Sequence, residues 1–183
     1  MRLYLNGFMA SGKSTVGPRV AARLGMTFLD LDRLITAHAG RSIPDIFAED
    51  GEEHFRHLER TALRQTAETD ELVVALGGGA LIDEENRAFA KAHGRVVYLK
   101  VDPETVLERV ADEADQRPLL QDDDGEALSG SNMRARIEQM LFDRRSAYED
   151  AHHTVDAARS VDAVVSRLQQ IGKAHGEGTT SGA

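Results

Sequence analysis

Hydrophobic and polar positions follow two rhythms along this chain. Four short runs read as strands: Arg2-Leu3-Tyr4-Leu5-Asn6, Met26-Thr27-Phe28-Leu29, and the continuous apolar runs Leu72-Val73-Val74-Ala75-Leu76 and Val96-Val97-Tyr98-Leu99, of the kind covered on both faces. Between and after them the spacing becomes helical. Val16, Val20, Ala21 and Leu24 form one apolar stripe on a helix running from about Lys13 to Leu24. Val161, Val164, Val165, Leu168 and Ile171 form the stripe of the last helix, with His153-Thr154-Val155 as a short strand before it. Asp102-Pro103 reads as the N-cap and first-turn proline of another helix. Alternating strand and helix predicts an α/β fold, a parallel sheet wound by right-handed crossovers.

Two segments break this rhythm. From Asp112 to Ser131 the chain carries Asp122-Asp123-Asp124-Gly125-Glu126 and Ser129-Gly130-Ser131, too polar to pack, and reads as a mobile excursion. Residues 173–183, ending GEGTTSGA, read as a disordered tail. No internal repeat or interdomain linker is evident, so residues 1–172 are expected to form one domain.

Composition narrows the classes. A length of 183 residues suits a single domain, and 41% apolar with 29% charged residues is an ordinary globular balance. With no cysteine there are no disulfides, thiolate metal sites or cysteine nucleophile, which suits a reducing cytoplasm. No apolar run reaches the roughly 18 residues that span a bilayer, and the first strand runs straight into a motif. The net charge of -9, from 31 acidic against 22 basic residues, repels nucleic acid and anionic membranes. Aromatics at 5%, without tryptophan, leave little for base stacking. The expectation is a cytoplasmic monomer that acts on small molecules.

Only four lysines occur, and one of them, Lys13, stands in the most informative stretch. Gly7-Phe8-Met9-Ala10-Ser11-Gly12-Lys13-Ser14 matches G-x-x-x-x-G-K-[ST] between a predicted strand and a predicted helix. Backbone N–H groups in such a loop wrap a phosphate at the N-terminus of the following helix. Lys13 would neutralise the transferring phosphate, and the Ser14 hydroxyl would be a ligand for Mg²⁺. Ala10, Ser11, Gly12, Lys13, Ser14 and Thr15 are therefore the candidate contacts to ATP. Such a match arises by chance in roughly one in a hundred chains of this length, so nucleotide binding is expected. The motif alone does not name the phosphate acceptor.

The acceptor side is read from weaker signals. Phe28-Leu29-Asp30-Leu31-Asp32 ends the second strand; on an extended run its two carboxylates share a face about 6–7 Å apart. One can serve the Mg²⁺ shell and the other an acceptor hydroxyl; alternatively, one of them caps the helix that begins there. Arg56 and Glu59 in FRHLE are i, i+3 neighbours on a helix, so the carboxylate can aim the guanidinium at a substrate carboxylate. An exposed ion pair is the plainer alternative. Gly77-Gly78-Gly79 at the end of the third strand lets a ligand approach the backbone closely. Arg117, in Arg117-Pro118-Leu119-Leu120, can swing over the phosphates from a lid at about 112–131. Arg144 and Arg145 lie near the end of a helix that also carries Arg134 and Arg136. The histidines, including the i, i+3 pair His54 and His57, offer no convincing ligand set.

Taken in order, GFMASGKST, FLDLD, GRSIPDIFAEDGEEHFRHLE, VVALGGGALI, VVYLK, RPLL and R-x-x-x-Y at Arg144 to Tyr148 resemble shikimate kinase over about residues 2–170. The resemblance implies a three-layer P-loop fold of nucleoside-monophosphate-kinase type, with five parallel strands, flanking helices and a mobile lid. It implies transfer of the ATP γ-phosphate to the 3-hydroxyl of shikimate, with Mg²⁺, in aromatic amino-acid synthesis. By match, Asp32 lies at the acceptor hydroxyl and Asp30, with Ser14, near the metal. Arg56 and Arg144 grip the shikimate carboxylate, Gly78 and Gly79 give backbone contacts, and Lys13 and Arg117 serve the transferring phosphate. Arg109 falls near the arginine that packs on adenine.

Three departures stand out. Ala10 replaces a glycine, with little effect expected if its φ is negative. Ser146-Ala147 stands where the family has a proline before the tyrosine, and the stretch from Leu120 to Arg144 is longer and more acidic. Arg145 accordingly remains an alternative to Arg144. Two rival functions share the loop: a kinase for another hydroxy or sugar acid such as gluconate, and a regulatory nucleotide-binding protein. The latter would be expected to lose Asp32, Arg56 or Arg117.

Overall fold

Strands β1 (Arg2–Asn6), β2 (Thr27–Asp30), β3 (Leu72–Ala75), β4 (Arg95–Lys100) and β5 (His153–Asp156) pair in parallel in the order β2-β3-β1-β4-β5. The computed structural model describes residues 1–110, 120, 128 and 130–176. Among these residues the helices are α1 (Lys13–Leu24), α2 (Leu31–Ala39), α3 (Ile43–Gln65), α4 (Glu84–His93), α5 (Pro103–Val110), α6 (Gly130–Glu149) and α7 (Val161–Gly176). The α/β parallel sheet expected from the sequence is the one observed.

Side-chain alternation divides the core into two layers. Leu3 and Leu5 of β1 pack with Val16 and Val20 of α1 and Val165 and Leu168 of α7. Tyr4, between them, faces Ile35 of α2, Leu63 of α3 and Ala90 of α4. The apolar runs are continuous because helices cover each face. In register, Leu5 and Asp30 both pair with Ala75. The carboxyl ends of β1, β2 and β3 thus finish level, and the loops after them meet at one edge, where ligands of open α/β sheets bind.

Three local differences from the sequence reading have physical causes. The strand expected at 26–29 spans Thr27–Asp30, and the chain turns helical at Leu31. Asp30 caps α2, accepting from the Arg33 amide at 3.3 Å, and Asp32 lies in the first turn, so the two carboxylates do not share an extended face. Leu120, inside the expected polar excursion, is fully buried, and its carbonyl accepts from the Leu128 amide at 2.8 Å. Gly130 and Ser131 belong to α6, and α7 continues to Gly176, into the stretch expected as a tail. The rest of both segments, the expected lid included, lies outside the described residues.

Other expectations agree in detail. Asp102 caps α5, accepting from the Thr105 amide at 2.7 Å, with Pro103 as the first helical residue. Helix α3 opens with a capping box between Ser42 and Asp45 and bends at Gly51, where φ is 82°. No described helix is long and apolar enough to cross a membrane.

Candidate active site

The loop from Gly7 to Ser14 is held by its own backbone. Gly12, with φ of 91°, is the left-handed N-cap of α1, and its carbonyl accepts from the amides of Thr15 at 3.0 Å and Val16 at 2.9 Å. The buried Asn6 side chain accepts from the Gly7 amide at 2.9 Å and fixes the loop's entry. Lys13 Nζ donates to the carbonyls of Gly7 at 2.7 Å and Phe8 at 2.9 Å, a position over the loop's concave side.

Ala10 corrects one expectation. Its φ is 56°, not negative, so a methyl occupies a left-handed position normally given to glycine. That conformation costs an L-residue roughly 1–2 kcal/mol. The Arg109 guanidinium steadies the same turn, donating to the carbonyls of Ala10 at 3.0 Å and Ala157 at 2.8 Å.

A cleft of about 540 Å³ opens beside this loop, lined by residues 9–16, Asp30, Asp32, Gly78, Arg109 and Arg159 among others. Ser14 Oγ donates to Asp30 Oδ2 at 2.7 Å, so a hydroxyl and a carboxylate stand together at its floor. Ala157 and Arg159 come from the turn between β5 and α7 and were missed in the sequence. No motif marks them; only the pairing of β5 beside β4 brings them there.

The acceptor candidates gather behind Asp32. Arg56 donates to the buried Glu59 at 2.8 Å and to Glu52 at 3.2 Å, so Arg56 is held by two carboxylates on its own helix. Burial, reinforced by the negative charge of Asp30, pushes the Asp32 carboxyl above its ordinary range, while Lys13 and Arg56 pull it back. Burial likewise pushes Glu59 up, and Arg56 pulls it back.

The three glycines have a physical reason the sequence did not disclose. A Cβ on Gly77 would lie 2.8 Å from Asp32 Oδ1 and 2.9 Å from Glu59 Oε1, and one on Gly79 would lie 3.0 Å from Arg56. Two of the glycines thus make room for charged side chains of the protein itself. Gly78 backs onto the phosphate loop, with its Cβ position 3.5 Å from the Met9 amide nitrogen.

The two candidate arginines near the end of α6, Arg144 and Arg145, part company. Arg145 is exposed and pairs outward with Glu149 at 3.0 Å. Arg144 is half-buried, with its guanidinium 5.9 Å from the Phe8 ring of the phosphate loop. Arg56, Gly79 and Arg144 are not among the residues that line the cleft. Arg117 lies outside the described residues.

Comparison with known proteins agrees with this geometry. The shikimate kinase family model matches residues 9–172. A shikimate kinase of Salinibacter ruber is 63% identical over 177 residues, covering 97% of this chain and 87% of that one. One from Chlorobium phaeobacteroides is 42% identical over 153 residues, covering 84% and 80%. Shikimate kinase from Acinetobacter baumannii, solved in complex with shikimate, superposes with a TM-score of 0.84 at 35% identity, covering 95% of this chain and 93% of that one. A gluconokinase from Sinorhizobium meliloti shares the fold at a TM-score of 0.55 and 18% identity, covering 95% and 91%. The phosphate loop, the braced arginine and the matched length together place this chain in the shikimate kinase family.

Proposed function

We propose that the protein phosphorylates the 3-hydroxyl of shikimate with ATP, giving shikimate 3-phosphate and ADP. The observation that carries the reading is the setting of Asp32. It stands at the nucleotide cleft while Arg56, braced by Glu59, is close enough to shift its proton affinity. A hydroxyl-orienting carboxylate beside a preorganised guanidinium suits a substrate bearing hydroxyls and a carboxylate.

In this reading the amides of residues 10–15 wrap the β- and γ-phosphates, and Lys13 moves onto the transferring group. Arg109 and Arg159 flank the cleft where the nucleoside would lie. Arg56 and Arg144 hold the acceptor carboxylate, with Gly78 and Gly79 against the ring. Asp32 accepts a hydrogen bond from the 3-hydroxyl and aims its oxygen in line with the γ-phosphorus. Because phosphoryl transfer passes through a loose transition state, Asp32 takes the proton late.

Magnesium fits the chain. Ser14 and Asp30 offer oxygen donors only, suited to a hard cation that keeps most of its shell as phosphate and water. When bound, Mg²⁺ would neutralise charge developing on the phosphates.

Phosphorus NMR of the product tests the assignment. A new phosphomonoester signal that requires shikimate supports it; ATP broken down only to ADP and inorganic phosphate would refute it.

A further inference from the structure

We infer that Tyr148 is a positioning residue that ties the acceptor site to the nucleotide loop through one hydroxyl. The inference rests on the function proposed above and deepens it. Tyr148 lies on the last turn of α6, 1% exposed, so its phenol is out of contact with bulk water and depends on protein partners. The hydroxyl donates to the Gly78 carbonyl at 2.6 Å. On its other side it meets the Arg144 side chain. Burial raises the phenol's pKa, and the charge and hydrogen bonding of Arg144 draw it back, so the phenol stays protonated and donates to Gly78.

Tyr148 thus stands between the Arg144 side chain and the Gly78 carbonyl. Both partners also lie beside the phosphate loop: Arg144 stands over the Phe8 ring, and a Cβ on Gly78 would lie 3.5 Å from the Met9 amide nitrogen. One hydroxyl therefore sets the approach of two acceptor-site groups to the loop that carries the nucleotide. The ring itself is held independently, stacked on Tyr98 with centroids 5.3 Å apart. Removing the oxygen leaves that stack in place.

The experiment compares steady-state kinetics and calorimetric binding for the full chain, Tyr148→Phe and Tyr98→Phe. Among the described residues Tyr98 has no hydrogen bond to Gly78 or Arg144, so it serves as the control for loss of a buried phenol. Tyr148→Phe is expected to raise the shikimate KM about 10-fold, with the ATP KM and ADP affinity within about twofold. Tyr98→Phe is expected to match the parent in both. Combined with Arg144→Ala, Tyr148→Phe should add little more, since the two act as one unit. An unchanged shikimate KM, a parallel rise in both KM values, or an equal effect of Tyr98→Phe would overturn the inference. So would a Tyr148→Phe protein that fails to fold, because its role would then be structural. A parent protein without shikimate-dependent turnover would instead remove the functional reading beneath it.

Discussion

Asp32 and Glu59 face each other across Gly77, whose Cβ position lies 2.8 Å from one carboxylate and 2.9 Å from the other. Two acidic groups from different helices are thus packed into a space cleared by one missing side chain. Burial raises the proton affinity of both; Lys13 and Arg56 pull Asp32 back, and Arg56 pulls Glu59 back. The arrangement is unfavourable for stability and useful for chemistry, a combination typical of functional sites.

The first consequence concerns pH. The folded pKa of Asp32 is raised above its unfolded value, so between those values the native state binds more protons than the unfolded state. Stability therefore falls as pH rises through that window and stays lowered at neutral pH. Asp32→Asn, which cannot ionise, should have a higher Tm than the parent at neutral pH. The difference should vanish below the ordinary Asp range. Its kcat should fall by about 100-fold or more, with ATP affinity intact. Thermal melts at two pH values and steady-state assays check both halves; parental turnover would remove Asp32 from the reaction.

Arg56→Ala should raise the shikimate KM by roughly 10- to 100-fold, the loss of a charged hydrogen bond, while the ATP KM holds. It should also shift the acid limb of kcat/KM for shikimate to higher pH, because Arg56 draws the Asp32 pKa down. The variant strands Glu59 and lowers Tm, so the comparison belongs well below the transition. An unshifted limb would separate Arg56 from Asp32.

Gly77→Ala tests the cleared space directly. The added methyl must displace the Asp32 or Glu59 carboxylate, since contacts under 3.0 Å cannot stand. We expect kcat to drop at least 10-fold while circular dichroism stays native. A variant with parental kcat would show that the carboxylates yield without functional cost.

Ala10→Gly inverts a usual rule. Alanine to glycine ordinarily destabilises by about 0.5–1 kcal/mol, but at φ of 56° glycine relieves the left-handed strain. Tm should hold or rise. A fall of the ordinary size would mean that the loop relaxes elsewhere in the native state.

Much of this was legible from the chain. Continuous runs such as Leu72 to Leu76 foretold covered strands, and the Gly7 to Ser14 motif foretold both the loop and α1. Arg56 and Glu59 were paired by spacing alone, and the pair exists. What stayed hidden depends on contacts between distant segments. The sequence could place Asp30 and Asp32 two residues apart but not the helix start between them, which Asp30 itself sets by capping. It could flag three glycines but not that the side chains of Asp32, Glu59 and Arg56 need two of them. Nor could it show that tertiary packing sets Arg144 over the Phe8 ring while Arg145 pairs outward with Glu149.

The most direct measurement is ADP release in a coupled assay with Mg-ATP, comparing shikimate, gluconate, quinate and no acceptor. The account predicts turnover that depends on shikimate and is at least 100-fold weaker with gluconate, which shares only the fold's reaction class. Equal turnover with gluconate, or ATP binding without any shikimate-dependent release, would contradict it.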